Sequence, residues 1–209
     1  MRICIISDTH NKYKQLVMPD ADMIVHCGDM TSMGYEYEIR NFYKWFSRLN
    51  QYKYKINIAG NHDWFFEKTP QFVKETVPDN VIYLEDSGVE IDGLYFYGTP
   101  VQKPFNNWAF NREEHKLAQH WEAIPDNTDV LITHSPPFGI MDWSRHSDSS
   151  QGSPSLLHEV QQRIKPKIHC FGHMHECHGI EIINETTFIN ATVLSDKYVV
   201  AYEPIVIEI

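Results

Sequence analysis

The sequence lacks the features that would assign it to a membrane, secreted or repetitive class of protein. No apolar run approaches the roughly 20 residues that a membrane helix needs, and the apolar start RICIIS meets Asp8 too early for a signal peptide. It contains no internal repeat, low-complexity stretch or recognisable interdomain linker. Its 209 residues are enough to bury one good core. We therefore expect a single domain over residues 1–209, a cytoplasmic location and no membrane partner.

Cysteine and basic residues are scarce. The four cysteines form no CxxC pair, and most of them lie in or beside apolar runs, where a thiol behaves as a small hydrophobic group; this usage suits a reducing compartment. Lysine and arginine number 18 against 28 acidic residues, which gives a net charge of −10 with histidine neutral. This balance argues against an extensive nucleic-acid-binding surface, although a small nucleotide can still bind locally.

What the sequence does contain is a set of short apolar, β-branched runs. Their hydrophobicity is nearly continuous rather than alternating, which is typical of strands that are covered on both faces in an α/β sheet. An apolar fraction of 42% and an aromatic fraction of 13% fit a globular protein. The six runs are RICIIS (2–7), MIVHC (23–27), KINIA (55–59), LYFYG (94–98), DVLITH (129–134) and KIHCFG (167–172).

Segments with helical spacing lie between these runs. Residues 36–49 carry apolar side chains at intervals of three and four, residues 111–124 do so less regularly with Asn111 as N-cap, and residues 153–164 begin with the N-cap Ser153. Towards the C-terminus, the segments IEIIN, TFIN, YVVAYEP and VIEI predict short strands in hairpins. Together these patterns predict an α/β fold with helices outside two sheets.

Five of the six apolar runs end in polar residues of a kind that an ordinary turn does not require. Because ligands of open α/β sheets bind beyond the carboxyl ends of the strands, we expect these residues to converge on one crevice. Two further histidines, His26 and His169, lie inside apolar runs, which indicates core positions. The polar clusters are Asp8 with His10, Asp29, Asn61 with His62 and Asp63, His134, and His173 with His175.

The types of residue in these clusters indicate a metal centre. Carboxylate, amide and imidazole groups suit manganese, iron or zinc rather than a metal held by thiolates alone. Two carboxylates, four histidines and one amide are too many for a single four-coordinate ion with an open position, but they suffice for two ions if one carboxylate bridges them. Asp29 is the natural candidate for that bridge.

The chain resembles the calcineurin-like metallophosphoesterase superfamily from residue 3 to about residue 178. Segments 26–38, 98–111, 131–139 and 163–179 are also similar to the branch that contains the brain metallophosphoesterase-domain proteins, related to class III cyclic nucleotide phosphodiesterases. This resemblance implies a four-layer α/β/β/α sandwich in which helices flank two mixed sheets. The shared motifs, in order, are Asp8-x-His10, Gly28-Asp29, Gly60-Asn61-His62-Asp63, His134 and Gly172-His173-x-His175.

The resemblance also implies a role for each motif residue. One metal would be held by Asp8, His10, Asp29 and His175, and the other by Asp29, Asn61, His134 and His173. Some members of the narrower branch lack a histidine in the final motif, whereas this chain keeps both, so a complete two-metal site is expected. His62 would contact the scissile phosphate or protonate the leaving group, and Asp63 would orient a neighbouring group.

Residues that contact the rest of the substrate are less clearly marked in the sequence. Trp108 and Phe138 are candidates for stacking on a nucleobase, because aromatic faces stack on bases, although core packing is the alternative. Asn11 and Lys12 follow the first motif directly, and Arg145 lies in a polar loop, so these three are candidates for contacting phosphate.

These inferences lead to an expected function. The chain should be a dinuclear-metal-dependent phosphodiesterase that hydrolyses small phosphoesters by in-line attack of a metal-bridging hydroxide. The resemblance implies 2′,3′-cyclic or 3′,5′-cyclic nucleotides as substrates and manganese as the metal in vitro, with iron or zinc as alternatives. A phosphomonoesterase or a dinucleoside polyphosphate hydrolase would use the same metals and stays an alternative. A nuclease and a non-catalytic interaction scaffold are less favoured, because the chain is acidic and keeps every expected ligand.

Overall fold

The computed structural model describes residues 1–209 without gaps and contains thirteen strands and five α-helices. None of the helices is long and apolar enough to cross a membrane. The helices are α1 (Glu36–Phe46), α2 (Trp64–Lys68), α3 (Pro70–Thr76), α4 (Glu114–Glu122) and α5 (Pro154–Glu159), which a π turn over Val160–Ile164 extends. The strands are β1 (Arg2–Ile6), β2 (Met23–Cys27), β3 (Tyr54–Ile58), β4 (Ile82–Tyr83), β5 (Ser87–Ile91), β6 (Leu94–Thr99), β7 (Val130–Thr133), β8 (Trp143–Ser144), β9 (Ser149–Ser150), β10 (Ile168–Phe171), β11 (Gly179–Ile183), β12 (Thr186–Asn190) and β13 (Ile205–Glu208).

The strands form two large mixed sheets and one small hairpin. The first sheet has the order β13-β1-β2-β3-β4, in which β1 to β4 run parallel and β13 pairs antiparallel with β1. The second has the order β11-β12-β10-β7-β6-β5, with a parallel centre and an antiparallel strand at each edge. Only the hairpin β8-β9 stands apart from both. The carboxyl ends of the parallel strands in each sheet therefore lie along one edge of that sheet.

Alternation of side chains along each strand divides the apolar residues between two faces. In β1, Ile3 and Ile5 face the layer between the two sheets, whereas Cys4 and Ile6 face the layer under α1. The inner layer joins residues of both sheets, and the outer layer of the first sheet is closed by aromatic side chains of α1 such as Phe42.

A third apolar layer covers the outer face of the second sheet. Leu131 and Phe171 of the central strands contact a cluster that includes Trp121 of α4 and Leu156 of α5. The sequence of layers is helix, sheet, sheet, helix. The expected four-layer α/β/β/α fold with two mixed sheets flanked by helices is confirmed.

The local predictions agree with the structure at the buried elements and fail at some exposed ones. All six apolar runs form strands, and Ser153 caps α5 by accepting a hydrogen bond from the Leu156 amide at 3.2 Å. The Asn111 cap is wrong, because α4 begins three residues later and the Asn111 amide donates to the Asn106 carbonyl instead. The strand expected in YVVAYEP is also wrong, since that segment makes only one isolated bridge, through Val200.

The two histidines inside apolar runs are core residues. His26 is fully buried under α1, with its ring nitrogens near the Thr9 hydroxyl and the Gly28 amide. His169 lies on the outer face of the second sheet, where its ring packs against Phe171 and its Nε2 is 2.9 Å from Thr133 Oγ1. That hydroxyl donates its hydrogen to the Ser135 carbonyl, so the imidazole must donate from Nε2. Burial lowers the pKa of His169 to about 3.

The buried imidazole of His169 should make folding stability depend on pH. Its pKa in the unfolded chain is about 6.5, so below that pH the unfolded chain binds a proton that the folded protein does not, and stability falls as the pH drops. His169→Gln keeps a donor for Thr133 but removes this titration. We expect the substitution to reduce the pH-dependent loss of unfolding free energy by up to about 1.4 kcal/mol per pH unit below pH 6.

Chemical denaturation at pH 7 and pH 5 in the presence of a chelator measures this effect. His158→Gln, at a position of α5 outside the core, is the matched control and should leave the slope unchanged. Equal slopes for the wild-type protein and His169→Gln would contradict the prediction.

Candidate metal centre

The polar residues at the strand ends meet in one place. Asp8 follows β1, Asp29 follows β2, Asn61 follows β3, His134 follows β7 and His173 follows β10, each within a few residues of the last strand position. The contacts described below connect all of them. Residues from the ends of both sheets are thus brought together beyond the carboxyl edges, as the sequence predicts.

The backbone at this place is unusual. Asp8, His10, Asp29 and His173 have φ angles of +54°, +38°, +56° and +66°, in the left-handed region that residues other than glycine seldom adopt. Aspartate and histidine are among the residues that tolerate this region best, yet each such residue still costs free energy. Strained residues of this kind cluster at functional sites, where the surrounding structure holds them in place.

Asp29 lies at the centre of the cluster. Its Oδ1 accepts a hydrogen bond from the His62 amide at 2.8 Å. Its Oδ2 faces Nε2 of His134 at 3.5 Å, of His10 at 3.7 Å and of His62 at 4.0 Å. Burial opposes ionisation of this carboxyl, but the imidazoles of His134 and His62 outweigh burial and hold its pKa well below the usual range. One carboxylate oxygen is therefore shared by three imidazoles at distances too long for direct hydrogen bonds.

One group of potential ligands combines Asp8 with His10 and His175. Their ligand atoms all lie within 4.8 Å of one another. Nδ1 of His10 donates to the Thr31 carbonyl at 3.0 Å, and Nδ1 of His175 donates to the Ser195 carbonyl at 3.0 Å. A carbonyl oxygen can only accept, so both rings carry hydrogen on Nδ1 and present Nε2 to Asp8.

A second group is built around the amide oxygen of Asn61. This atom lies 2.8 Å from Nε2 of His134 and 2.9 Å from Nδ1 of His173. Nδ1 of His134 donates to the Cys27 carbonyl at 2.9 Å, which leaves Nε2 to face Asn61 and Asp29. The two groups meet at Asp29, because its Oδ2 is close to a ring from each of them.

The donor set fits divalent cations. Asp8 Oδ1 and His10 Nε2 are buried without a hydrogen-bond partner, although a buried polar atom normally has one. Nε2 of His134 and Oδ1 of Asn61 face each other at 2.8 Å, a separation that two acceptors adopt only if the ring carries a proton there or if both atoms bind the same cation. Carboxylate, amide and imidazole ligands are the set that manganese, iron and zinc accept.

Two glycines leave the space that the carboxylates occupy. A Cβ at Gly60 would lie 2.3 Å from Asp29 Oδ1 and 2.4 Å from the Asp29 backbone nitrogen. At Gly172 it would lie 2.0 Å from Asp8 Oδ2, which accepts a hydrogen bond from the His173 amide at 2.9 Å. Gly60 and Gly172 are therefore needed because the backbone at each position passes directly against a carboxylate.

His62 is placed at the edge of the cluster by three contacts. Its amide is bound to Asp29, its Nδ1 donates to the Ser32 carbonyl at 2.6 Å, and Nε2 points towards Asp29 Oδ2. The indole of Trp108 stacks on its ring with a centroid separation of 4.0 Å and an interplanar angle of 28°. Trp108 thus packs on the His62 ring and is not among the residues that line the neighbouring cavity, so its expected contact with a base stays a prediction.

Asp63 braces the loops and does not contact the His62 ring. Its fully buried carboxyl accepts hydrogen bonds from the amides of Met30, Thr31 and Gly60 and from the Thr31 hydroxyl. Burial, with repulsion from Asp29 in addition, raises the pKa of Asp63 to about 7. The Asp63 carboxyl thus holds the backbone of residues 30–31 and is buried away from the cavity, and its expected role in orienting a neighbouring group stays a prediction.

A cavity of about 360 Å³ opens beside the cluster, which is in the range of small-ligand sites. Asp29, Asn61, His62, His173 and His175 line its floor. One wall is the small hairpin β8-β9, which presents mainly hydroxyl, amide and imidazole groups. The hairpin residues that line the cavity are Ser144, His146, Ser147 and Gln151.

That hairpin is closed at its base by one carboxylate. Oδ2 of Asp142 accepts hydrogen bonds from the amides of Gly139 and Gly152, both at 2.9 Å. Its tip is held by the Gln151 amide, which donates to the Ser147 hydroxyl at 2.7 Å. The wall therefore keeps its shape largely through its own hydrogen bonds.

Two half-exposed aromatic residues flank the cluster, and the sequence analysis missed both. Phe105 packs against His173 with a centroid distance of 5.4 Å, and Tyr198 packs against His10 and His175 at 5.0 Å each. Both line the cavity. Their loops carry no periodic pattern, so the only signal was an aromatic residue in a polar segment.

The other expected substrate contacts are not at the cavity. Asn11 donates to Glu38 and to the Ser32 hydroxyl. The remaining three candidates, like Asn11, lie outside the cavity lining, and their expected contacts with phosphate or a base stay predictions. They are Lys12, Phe138 and Arg145.

The free protein should lose a proton when a cation binds at His134. Burial opposes a charge on this ring, but the carboxylates of Asp29 and Asp8 outweigh burial and raise the pKa of His134 to about 9. Burial lowers the pKa of His10 to about 4 and that of His173 to about 3, so those rings are already unprotonated at neutral pH. We expect the affinity for Mn²⁺ to rise about tenfold per pH unit between pH 7 and pH 9, because binding displaces the His134 proton.

Calorimetric titration of the metal-free protein at pH 7, 8 and 9 measures this dependence. Buffers that differ in ionisation enthalpy report the number of protons released. An affinity that does not change with pH would show that His134 is not the protonated ligand.

Comparison with known proteins agrees with this geometry. Over its full length the chain is 36% identical to the human protein called metallophosphoesterase domain-containing protein 1, across 71% of that protein. It is 37% identical to UPF0046 protein K07C11.7 of Caenorhabditis elegans, with 99% of this chain and 74% of the relative covered. The solved structure of TT1561 from Thermus thermophilus shares the fold, with a TM-score of 0.63, 14% identity, and coverage of 90% and 88% of the two chains. Residues 1–177 match the family described as calcineurin-like phosphoesterase, and the chain belongs to that family.

Proposed function

We propose that this protein is a phosphodiesterase that uses two divalent cations to hydrolyse small, ring-bearing phosphodiesters, with cyclic nucleotides as the favoured substrates. Family membership indicates a phosphoester hydrolase. The observation that carries the more specific proposal is the position of His62, whose Nε2 faces Asp29 at the edge of the ligand cluster and also borders the cavity.

The ligand assignment follows from the two groups that meet at Asp29. In this proposal Asp8, His10 and His175 hold one cation, Asn61, His134 and His173 hold the other, and Asp29 is shared. When bound, such a pair of ions lowers the pKa of water and offsets charge on the phosphoryl oxygens. Backbone carbonyls fix three of the four ligand rings through Nδ1, so the protein itself supplies a set of ligands that needs little rearrangement.

His62 supplies the proton for the departing oxygen. In the acid role its ring carries hydrogen on both nitrogens, with Nδ1 bound to the Ser32 carbonyl and Nε2 facing the site. Water adds to phosphorus and gives up one proton to the solvent, the bond from phosphorus to the leaving oxygen breaks, and the Nε2 proton passes to that oxygen. The imidazole then recovers a proton from the solvent. For a cyclic nucleotide the ring opens, and the single product carries both the new hydroxyl and a phosphomonoester.

The cavity favours a diester of modest size with a planar group. Phe105 and Tyr198 are 47% and 46% exposed and stand on opposite sides of the ligand cluster, where a base or another ring can stack. Lys103 is the one lysine or arginine in the lining, and its Nζ already donates to the Gly152 carbonyl. A polyphosphate chain needs several cationic partners, so the lining fits a single phosphate better.

The first test is hydrolysis of 2′,3′-cyclic AMP by the purified protein supplied with Mn²⁺. We expect turnover by the wild-type protein and none by Asp29→Ala, which removes the shared carboxylate. Bis(p-nitrophenyl) phosphate and p-nitrophenyl phosphate, assayed in parallel, distinguish a diesterase from a monoesterase. Turnover of the monoester alone, with two metals bound, would overturn the proposal in favour of a phosphomonoesterase.

The substitution His62→Ala tests the role of His62 as the general acid separately from metal binding. We expect it to keep two metals per chain while kcat for 2′,3′-cyclic AMP falls roughly 10²- to 10⁴-fold, the usual contribution of general acid catalysis. The loss should be much smaller for bis(p-nitrophenyl) phosphate, because a nitrophenolate leaves without a proton. The same loss for both substrates would argue against proton donation by this residue.

The two flanking aromatic residues should contribute to substrate binding. Phe105→Ala or Tyr198→Ala removes a stacking surface worth about 1–3 kcal/mol, which corresponds to a rise in KM of roughly fivefold to a hundredfold with kcat little changed. Tyr37→Ala, at an exposed aromatic position of α1, is the matched control and should leave KM unchanged. An unchanged KM in both flanking variants would exclude a ring contact at these positions.

A further inference from the structure

The orientation of His62 depends on a segment that is neither helix nor strand. Residues 31–35 form the second part of the connection between β2 and α1, and two of their carbonyls hold rings of the site. The Thr31 carbonyl accepts from Nδ1 of His10 and the Ser32 carbonyl accepts from Nδ1 of His62. A shift of this segment would therefore release the Nε2 atom of His62 from the direction in which it faces Asp29.

Glu38 of α1 binds this segment from one side. Its Oε2 accepts hydrogen bonds from the Tyr35 amide at 2.9 Å and the Met33 amide at 3.2 Å. Its Oε1 faces the Ser32 amide at 3.4 Å and accepts from the Asn11 side chain at 2.5 Å. The carboxyl thus contacts both the backbone around Ser32 and the loop that follows the first ligands.

These contacts exceed what a helix cap requires. A glutamate at the third helical position commonly accepts one hydrogen bond, from the N-cap amide, which here is that of Tyr35. Glu38 is only 4% exposed and forms no ion pair with a lysine, arginine or histidine. Its carboxylate also accepts hydrogen bonds from Met33, Ser32 and Asn11. Burying a carboxylate without a cationic partner is unfavourable unless hydrogen bonds compensate it. The number of donors directed at one buried carboxyl indicates a positioning role.

We infer that Glu38 is a positioning residue for His62: it fixes the Ser32 carbonyl, which in turn sets the hydrogen on Nδ1 and the direction of Nε2. This inference rests on the proposed function, because it assigns Glu38 to the step in which His62 protonates the leaving oxygen. It places a group that touches neither substrate nor metal in control of proton transfer.

A spectroscopic measurement tests the ring position without any assay. In the metal-free protein, the Nδ1 hydrogen of His62 should give a slowly exchanging NMR signal, assigned by its loss in His62→Ala. We expect this signal to broaden or disappear in Glu38→Ala and to persist in Glu36→Ala. Glu36 is the matched control because it lies on the same helix, is exposed and pairs only with Arg40. An unchanged signal in a folded Glu38→Ala protein would overturn the inference.

Kinetics test the same inference through the leaving group. For 2′,3′-cyclic AMP we expect Glu38→Ala to lower kcat roughly tenfold to a hundredfold, as removal of an outer hydrogen-bonding partner commonly does, with KM and metal content little changed. For bis(p-nitrophenyl) phosphate the loss should be less than about threefold, since a residue that acts only through the acid has little effect when the acid is not needed. Equal losses for the two substrates would indicate a merely structural role.

A variant that combines Glu38→Ala with His62→Ala tests whether Glu38 acts through His62. In the His62→Ala background, Glu38→Ala should cause no further loss of cyclic AMP turnover, because effects that act through one group are not additive. Independent, additive losses would overturn the inference. If Glu38→Ala does not fold, Glu38→Gln serves in its place. It keeps an acceptor for Met33 and Tyr35 and should show a smaller loss, again confined to cyclic AMP.

Failure of the inference can be distinguished from failure of the proposed function. If the wild-type protein hydrolyses neither diester, the proposed function is wrong, and the NMR comparison still reports whether Glu38 positions the ring. If the wild-type protein is active but the variants lose activity additively and equally for both substrates, the diesterase stands and the positioning role does not.

Discussion

A carboxylate that is removed from water has to be compensated by its neighbours, and Asp29 sets this requirement for the whole site. Its compensation comes from the His62 amide and from rings that follow β3, β7 and β1. Those elements belong to both sheets, so the apolar layer between the sheets fixes how closely the rings can approach. The inner apolar layer, which includes Ile5, Val25 and Ile132, therefore helps to set the geometry of the candidate metal centre.

Backbone carbonyls, rather than side chains, set the orientation of most of the imidazoles. Nδ1 of His10, His62, His134 and His175 each donates to a carbonyl, which leaves Nε2 free to face the carboxylates. A carbonyl at the end of a strand or in a braced loop has little freedom to move, so the direction of each ring is defined by the fold. Asp63 and Glu38 extend this arrangement by holding the loop that carries two of the carbonyls.

The sequence allowed the layers and the ligand candidates to be predicted because both depend on local signals. A buried parallel strand must be apolar along its length, and a glycine followed by aspartate or asparagine at its end interrupts that pattern visibly. Other contacts depend instead on which distant loops meet in the fold, and the local sequence does not indicate them. Examples are the ring contacts of Trp108, Phe105 and Tyr198. The failures at Asn111 and YVVAYEP have local causes: the Asn111 side chain bonds the Asn106 carbonyl in the preceding turn, and Val200 pairs only with nearby Leu194.

The hairpin β8-β9 separates the shape of the cavity from the chemistry at its floor. Because Asp142 closes the hairpin at its base and Gln151 secures its tip, the wall carries its own framework and shares no hydrogen bond with the ligand side chains. The hairpin does bond the turn that follows His175, through Arg145 and Trp143, so substitutions that keep these two contacts can accumulate without moving an imidazole or a carboxylate. Substrate preference is thus free to diverge during evolution faster than the hydrolytic centre, and exchange of this short segment offers a route to altered specificity on an unchanged catalytic floor.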